Sequence, residues 1–444
     1  MRRTPVGLCL ATVFLSLCDR VQMSVAIIAI SAERGWSVDT QAKVLSSFFG
    51  GYVLTQFAGA RLSARYGGRK VLVAALAGWS LITLATPVLC RQSAQVTIAG
   101  RAVLGLFEGT TFPCIFAIIS PTTGSDRRGD VVARINIAAC LGSVTAFAVC
   151  PGLVEFAGWP AMFYLFGTAG LIVCGLWLLQ GPEHHPAGAA ATPTQVAAGA
   201  GQVRSADTDG ARADRDAAVG SDTVRTAMQY LEHSAVTAIC FSHFCNNFGD
   251  AMVMAWLPTF LSARFGVRGA WLGLTCLPWL ARMAGSAAGG VWSDGLMARP
   301  GGTSSIARRR TISVGFATAA VALAAVGTVS TAMGAISLFC VERFASAAGA
   351  VGGYEAAKLD IATGSDAALL QALANSIGAV ASLFGSWVIG VIVGNGGDWN
   401  DALLCSAVLY CCSVFSYRTF GDSSVSLADQ RTRGSLRDHL TQKL

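Results

Sequence analysis

Apolar runs of about twenty residues, the length that crosses a bilayer as a helix, recur along this chain and are broken by short stretches that carry charge. Read against those breaks, the pattern predicts six spans near 6–30, 41–62, 71–91, 96–121, 131–154 and 160–180. Six more follow near 233–262, 268–297, 311–329, 331–356, 368–394 and 399–419. Between the groups, residues 183–228 are rich in Ala, Gly, Asp, Arg, Ser and Thr without apolar periodicity, which predicts a flexible linker. Residues 422–444 are polar and predict a tail that is disordered or only partly helical. The expected layout is an all-α membrane protein: a six-helix bundle over 1–182, the linker, a second six-helix bundle over 229–421, and the tail.

Arg2 and Arg3 precede the first run as they would in a signal peptide, but apolar sequence resumes after Arg20 and continues to Ile30, too far for a cleavable segment. No organelle presequence stands ahead of it, an expectation that counts against a plastid membrane.

Composition agrees with lipid as the main solvent. Of 444 residues, 53% are hydrophobic and 13% charged, about half the charged share of a soluble domain, and mean hydropathy is +0.55. A single water-soluble core is excluded. The net charge of +7 does not point to nucleic acid, because the basic residues sit in clusters between apolar runs. With both termini on the cytoplasmic side, that side receives Arg2, Arg3, Arg65, Arg69, Lys70, Arg127, Arg128, the linker arginines, Arg299 and Arg308 to Arg310, as the positive-inside rule requires. The 14 cysteines lie mostly inside apolar runs without metal-ligand spacing, so they read as small buried hydrophobes and no metal is expected. Adjacent Cys411 and Cys412 suit either palmitoylation or a packed helix.

The two halves also repeat. Leu17-Cys18-Asp19-Arg20-Val21 corresponds to Phe244-Cys245-Asn246-Asn247-Phe248, the stretch Ala58 to Ala64 to Ala288 to Asp294, and Asn136 to Asn375. Three matches in one order suggest two bundles related by duplication, as in many secondary transporters.

A charge at the bilayer centre costs about 2.5–3.5 kcal/mol on insertion scales, so each needs a partner or an aqueous cavity. Arg20, near the middle of the first span, is either half of a structural ion pair or a ligand for an anion. Its rigid fork of donors, matched to phosphate and carboxylate, favours the second. Asp19 points about 100° away and is assigned a structural contact to a neighbouring helix. Arg101 and Glu108 are two turns apart, on one face and about 10 Å apart along the axis. They read as an anion ligand above a protonatable acid, or as a static pair. Burial and a nearby guanidinium act on a carboxyl proton in opposite senses, so such an acid responds to which anion is bound.

His243, Asn246 or Asn247, and Asp250 form one polar stripe in the seventh span, either as hydrogen-bond partners of neighbouring helices or as ligands of anion oxygens or a cation. Tyr52 and Gln56, one turn apart, line a cavity or pack. Glu355 and Lys358 are spaced to pair, and Arg282 stays an open candidate.

The stretch Gly59-Ala-Arg-Leu-Ser-Ala-Arg-Tyr-Gly-Gly-Arg-Lys70 resembles the major facilitator signature, departing at Ala64 where the signature has Asp; the second-half copy keeps Asp294. Cys18 to Ile27, Ser47 to Gln56, Arg101 to Gly109 with Pro113, and Cys245 to Phe248 resemble the anion:cation symporter branch of that superfamily. Gly158-Trp159-Pro160, Leu277-Pro278-Trp279 and Asn375-Ser376 look most like plant plastid-type inorganic phosphate transporters, with sialin and vesicular glutamate transporters more distant. The resemblance implies a twelve-helix major facilitator fold. It also implies Arg20 and Arg101 as substrate ligands, with Glu108 coupling the driving ion; Tyr52, Asn246, Asn247 and Asn375 complete the candidate substrate site.

The expected function is secondary active transport of a small anion, inorganic phosphate first, by alternating access with Na⁺ or H⁺ and no other cofactor. Vesicular glutamate transporters carry an arginine near Asn246, so its absence argues against glutamate; sialate, ascorbate and nucleotides stay as organic rivals, and a non-transporting receptor as a further one. No Walker loop points to ATP, and His184, His185, His233, His243 and His439 offer no catalytic constellation, so no enzyme is expected. The expected partners are the small anion and the lipid bilayer, with the chain a monomer. Plasma membrane, vesicle and plastid envelope all stay open.

Overall fold

The computed structural model describes residues 6–119, 128–180, 228–362 and 364–423. The predicted linker, except for its last residue, and all but two residues of the predicted tail lie outside that range. Within it the chain forms twelve helical rods and no strand. In the first half these are α1 (Val6–Arg34), α2 (Val38–Tyr66), α3 (Gly68–Gln92), α4 (Ala94–Ile119, interrupted at Gly109 and Thr110), α5 (Arg128–Ala157) and α6 (Pro160–Leu179). In the second, α7 runs Ser234–Ala251, passes through one π turn, Met252–Trp256, and continues as Leu257–Phe265. Next, α8 opens with a 3-10 stretch, Gly269–Cys276, and continues as Leu277–Met297; α9 is Ser304–Val326. Finally come α10 (Ala332–Ile361, with a π turn at Val351–Glu355), α11 (Gly364–Gly394) and α12 (Trp399–Phe420).

Local chemistry sets the rod ends. Ser93, Thr303 and Thr331 accept from the first-turn backbone of α4, α9 and α10, and Asp398 and Asp401 form a reciprocal cap on α12. Between α5 and α6 the chain turns in two residues, Gly158 and Trp159. Gly158 takes φ +81 and Pro160 starts the next helix at a position where its missing N–H costs nothing.

By length and composition alone, nine rods are apolar enough to cross a membrane. The other three, α2, α7 and α8, carry internal polar residues such as Gln56, His243, Asn246, Asp250, Arg282 and Ser286, which lower their average. Large apolar side chains on the outer faces, among them Leu54, Val291, Val321 and Phe415, are over two-thirds exposed, as expected for a surface that meets lipid.

Two predicted boundaries move. The tenth span, expected to end near 356, continues to Ile361, taking in Lys358 and Asp360, both of which are paired. The fourth span breaks at Gly109, directly after Glu108.

Within the halves the main packings are α1 on α5, α2 on α4, α8 and α9 on α10, and α7 on α11 and α12. Between the halves, α2 packs on α11, α5 on the 3-10 start of α8, and α1 on the 252–265 portion of α7. These joints lie toward the Arg34 end of the molecule. There Gly390 faces Ala42 and Trp256, Gly394 faces Val38, and Ala270 N–H donates to Glu155 at 2.7 Å. Ile27, Ile30, Leu45, Trp256, Phe260 and Trp399 belong to one apolar cluster that crosses from half to half and seals that end.

Candidate functional site

In the first half, the site is built by the crossing of α2 and α4. A Cβ on Gly51 would run into the carbonyl of Ala102, and one on Gly105 into the carbonyl of Phe48, so the two backbones approach as only small residues allow. That contact brings Arg101 over Phe48 and sets Gly109, the residue after Glu108, against the Tyr52 backbone. From α1, Arg20 and Ser16 enter one turn apart and share one carboxylate oxygen. Ser16 Oγ donates to Glu108 Oε2 at 3.0 Å, and Arg20 Nη2 donates to it at 3.4 Å. Glu108 is fully buried, and its Oε1 has no partner among the described residues.

The two arginines share an aromatic platform. The Arg20 guanidinium lies 4.7 Å from the Tyr52 ring centre and 5.1 Å from that of Phe48, while the Arg101 guanidinium lies 5.0 Å from Phe48. Ring faces attract cations and hold them without neutralising them. Arg101 is 3% exposed, yet it makes no hydrogen bond or ion pair with any described residue. Glu108 and Asp19 act on it only through space. A buried guanidinium in this condition is a ready ligand for an anion carried in from outside.

The second half holds two ionic clusters. Arg282 Nη1 donates to both oxygens of Asp250, at 2.8 and 2.9 Å, and Arg343 reaches the same carboxylate. Arg343 also grips Glu342 through two nitrogens and donates to Tyr410 Oη at 3.1 Å; Tyr410 donates to Glu342 at 3.0 Å. Two carboxylates and two guanidiniums cancel. Further toward the Val6 end, Lys358 donates to Glu355 Oε1 at 2.8 Å and to His243 Nδ1 at 3.1 Å. The π turn supplies this geometry: Gly353 leaves helical values (φ −105, ψ −105), re-aiming Tyr354 and Glu355.

Residues 8–305 match the Major Facilitator Superfamily. The chain belongs to that superfamily. This facilitator is 31% identical over 426 residues to "Probable anion transporter 4, chloroplastic" of Oryza sativa subsp. japonica, covering 94% of this chain and 68% of the relative. It is 30% identical to "Sodium-dependent phosphate transport protein 1, chloroplastic" of Arabidopsis thaliana, over 94% of this chain and 78% of that one. It is also 30% identical to the "Ascorbate transporter, chloroplastic" of the same plant, over 94% and 74%. A crystal structure of a bacterial homologue of the human lysosomal transporter Spinster, inward-facing and unoccupied, superposes with a TM-score of 0.73 at 14% identity, covering 95% of this chain and 98% of that one. The expected superfamily and its plastid anion-transporter relatives are thus borne out, and the protein is a multi-pass membrane transporter rather than an enzyme.

Against that frame, the facilitator gathers Arg20, Tyr52, Arg101 and Glu108 in its first half. Asn246, Asn247 and Asn375 lie in the second half. Asn247 Nδ2 donates to the His243 carbonyl at 2.9 Å, Asn375 accepts from Gln371 at 3.0 Å, and buried Asn246 has an unpartnered Oδ1. The structure chooses between readings the sequence left open. The static Arg101–Glu108 pair does not form: Glu108 is bonded to Arg20 and Ser16, because α1 crosses closer to it than the two-turn reach along α4. Asp19 accepts from Gln22 of its own helix at 2.8 Å and also faces Thr83 of the neighbouring α3. The α7 stripe bonds neighbouring helices, the first of its two readings: His243 meets Lys358 and, two turns further along the same face, Asp250 meets Arg282 and Arg343. Glu342 was missed altogether; an acid beside a base in mid-span was the available signal. The Glu355–Lys358 pair forms as spaced.

Proposed function

We propose that this chain carries a small anion, inorganic phosphate first, by alternating access, with Arg20 and Arg101 as its ligands and Glu108 as the group that links it to H⁺ or Na⁺. The observation that carries this reading is the buried Arg101 guanidinium with no direct ion pair or hydrogen bond among the described residues, on the same aromatic platform as the Arg20–Glu108 pair. An arriving anion completes Arg101 and competes with Glu108 for Arg20. An acid that loses its guanidinium partner gains a reason to take up a proton or a cation. Anion and driving ion then favour each other's binding, which is what coupling requires.

The printed names of the relatives, a sodium-dependent phosphate transporter and an ascorbate transporter among them, support the anion class and keep an organic anion as the second reading. Both termini are proposed to lie on the cytoplasmic side, on the strength of the basic clusters, so the sealed Arg34 end faces away from it. The chloroplast names make a plastid envelope the first membrane to examine.

The test is uptake of labelled phosphate into proteoliposomes under imposed Na⁺ and pH gradients, with ascorbate and glutamate as competitors. Gradient-driven accumulation of phosphate is expected. No uptake of phosphate and no displacement by any of the three anions would overturn the reading.

A further inference from the structure

Between α1 and α3 the first bundle holds buried oxygens that its own side chains do not use. On α1, Gln22 donates an amide N–H to Asp19 Oδ1 at 2.8 Å, which lays the two side chains against each other. The second carboxylate oxygen, Asp19 Oδ2, and the amide oxygen, Gln22 Oε1, have no hydrogen-bond partner among the described residues. From α3, Thr83 faces the Asp19 carboxylate, and its hydroxyl is likewise unpartnered. All three residues are 0% exposed.

Oxygens in this state are costly, because each has lost water and gained nothing in exchange. The anion reading above leaves two driving ions open, H⁺ and Na⁺. A proton on Asp19 supplies one donor and so answers only one of the other two oxygens. A hard cation takes carboxylate, amide and hydroxyl oxygens together. The set carries one formal charge, so a monovalent cation leaves it neutral.

The set also reaches the anion site by charge. Arg20 is the next residue, and Asp19 interacts through space with both Arg101 and Glu108. Arg101 has no direct partner, so the Asp19 carboxylate is part of what balances it. A cation on Asp19 cancels that balance and strengthens the demand of Arg101 for an anion. The bound anion then favours the cation in return.

We infer that Asp19 Oδ2, Gln22 Oε1 and Thr83 Oγ1 form the seat of a sodium ion between α1 and α3. The seat stands on these three side chains. Its coupling role rests on the anion reading, which it sharpens by naming Na⁺ as the ion and Asp19 as its anchor, with Glu108 answering through Arg20.

The experiment is binding of radioactive Na⁺ alone to the full chain in lipid nanodiscs. Phosphate and, separately, ascorbate are then titrated with and without Na⁺, choline keeping the ionic strength constant. Thr83→Val keeps the shape and removes one oxygen, Gln22→Leu removes another, and Asp19→Asn removes the charge. The first two are each expected to weaken Na⁺ binding about tenfold, the scale of one lost polar contact, and the third to abolish it. In the wild type Na⁺ should tighten anion binding, and in the variants that gain should shrink. If Asp19→Asn does not fold, the isosteric Thr83→Val carries the test. Unchanged Na⁺ affinity in folded Thr83→Val and Gln22→Leu overturns the seat, as does a wild type that binds an anion but no Na⁺; both leave the anion reading standing. Na⁺ binding that depends on Thr83, in a wild type that takes neither anion, keeps the seat and overturns the anion reading.

Discussion

Arg20 of α1 donates to Glu108 of α4 at 3.4 Å, so the acid is held from a different helix and not by Arg101 two turns away on its own. The pair ties α1 to α4 beneath Tyr52, and an anion that takes hold of Arg20 works on that tie. Arg20→Ala removes a charged donor to both the anion and Glu108. Loss of such bonds, at about 1.5–3 kcal/mol, predicts uptake lowered roughly ten- to a hundredfold at low substrate. The check is initial uptake rate, set beside a thermal unfolding curve that shows the variant folded; undiminished uptake would refute the ligand role.

Glu108→Gln keeps an acceptor for Ser16 and Arg20 but has no charge to lose or gain. Exchange of one anion for another across the membrane is expected to continue, while accumulation driven by a Na⁺ or pH gradient collapses. Paired counterflow and gradient-driven assays separate the two. An unaltered response to both gradients would remove Glu108 from the coupling step.

Arg343 is expected to matter for stability more than Arg282 does. Arg343 is fully buried and serves Asp250, Glu342 and Tyr410 at once, whereas the side chain of Arg282 is 24% exposed and serves Asp250. Removing one partner of a buried network costs about 3–5 kcal/mol because the other charges stay behind. Arg343→Met should therefore sharply lower the unfolding midpoint in detergent, and Arg282→Met much less. Equal losses would contradict this hierarchy.

How much of this was legible in the sequence follows from what helical periodicity encodes. Apolar runs between basic clusters locate the twelve rods, because lipid leaves the backbone no alternative to a continuous helix. Spacing along one helix also finds Glu355 and Lys358, which do pair. It cannot say which helix crosses a given face, so it left a static Arg101–Glu108 pair open while the structure gives Glu108 to Arg20. The π turns at Met252–Trp256 and Val351–Glu355 were hidden for a related reason: an extra residue in a turn leaves no mark on hydropathy, yet it rotates everything beyond it.

The seal at the Arg34 end makes alternating access testable with one cross-link. A Cβ on Gly394 of α11 would lie 3.7 Å from that of Val38 at the start of α2, within the about 3.5–4.5 Å that a disulfide spans. Val38→Cys combined with Gly394→Cys, in a background without the 14 native cysteines, should therefore oxidise readily. The bond joins the two halves where they must part for the site to open toward that end. Oxidation is expected to stop uptake while binding from the other side persists, and reduction should restore transport. The cross-link forms only while the seal is shut, so its rate should also change with substrate, because an anion that drives the cycle alters the time spent sealed. Full uptake with the bond demonstrably formed would show that this end does not open during transport, and the joints of α2 with α11 and of α1 with α7 would then be a fixed hinge rather than a gate.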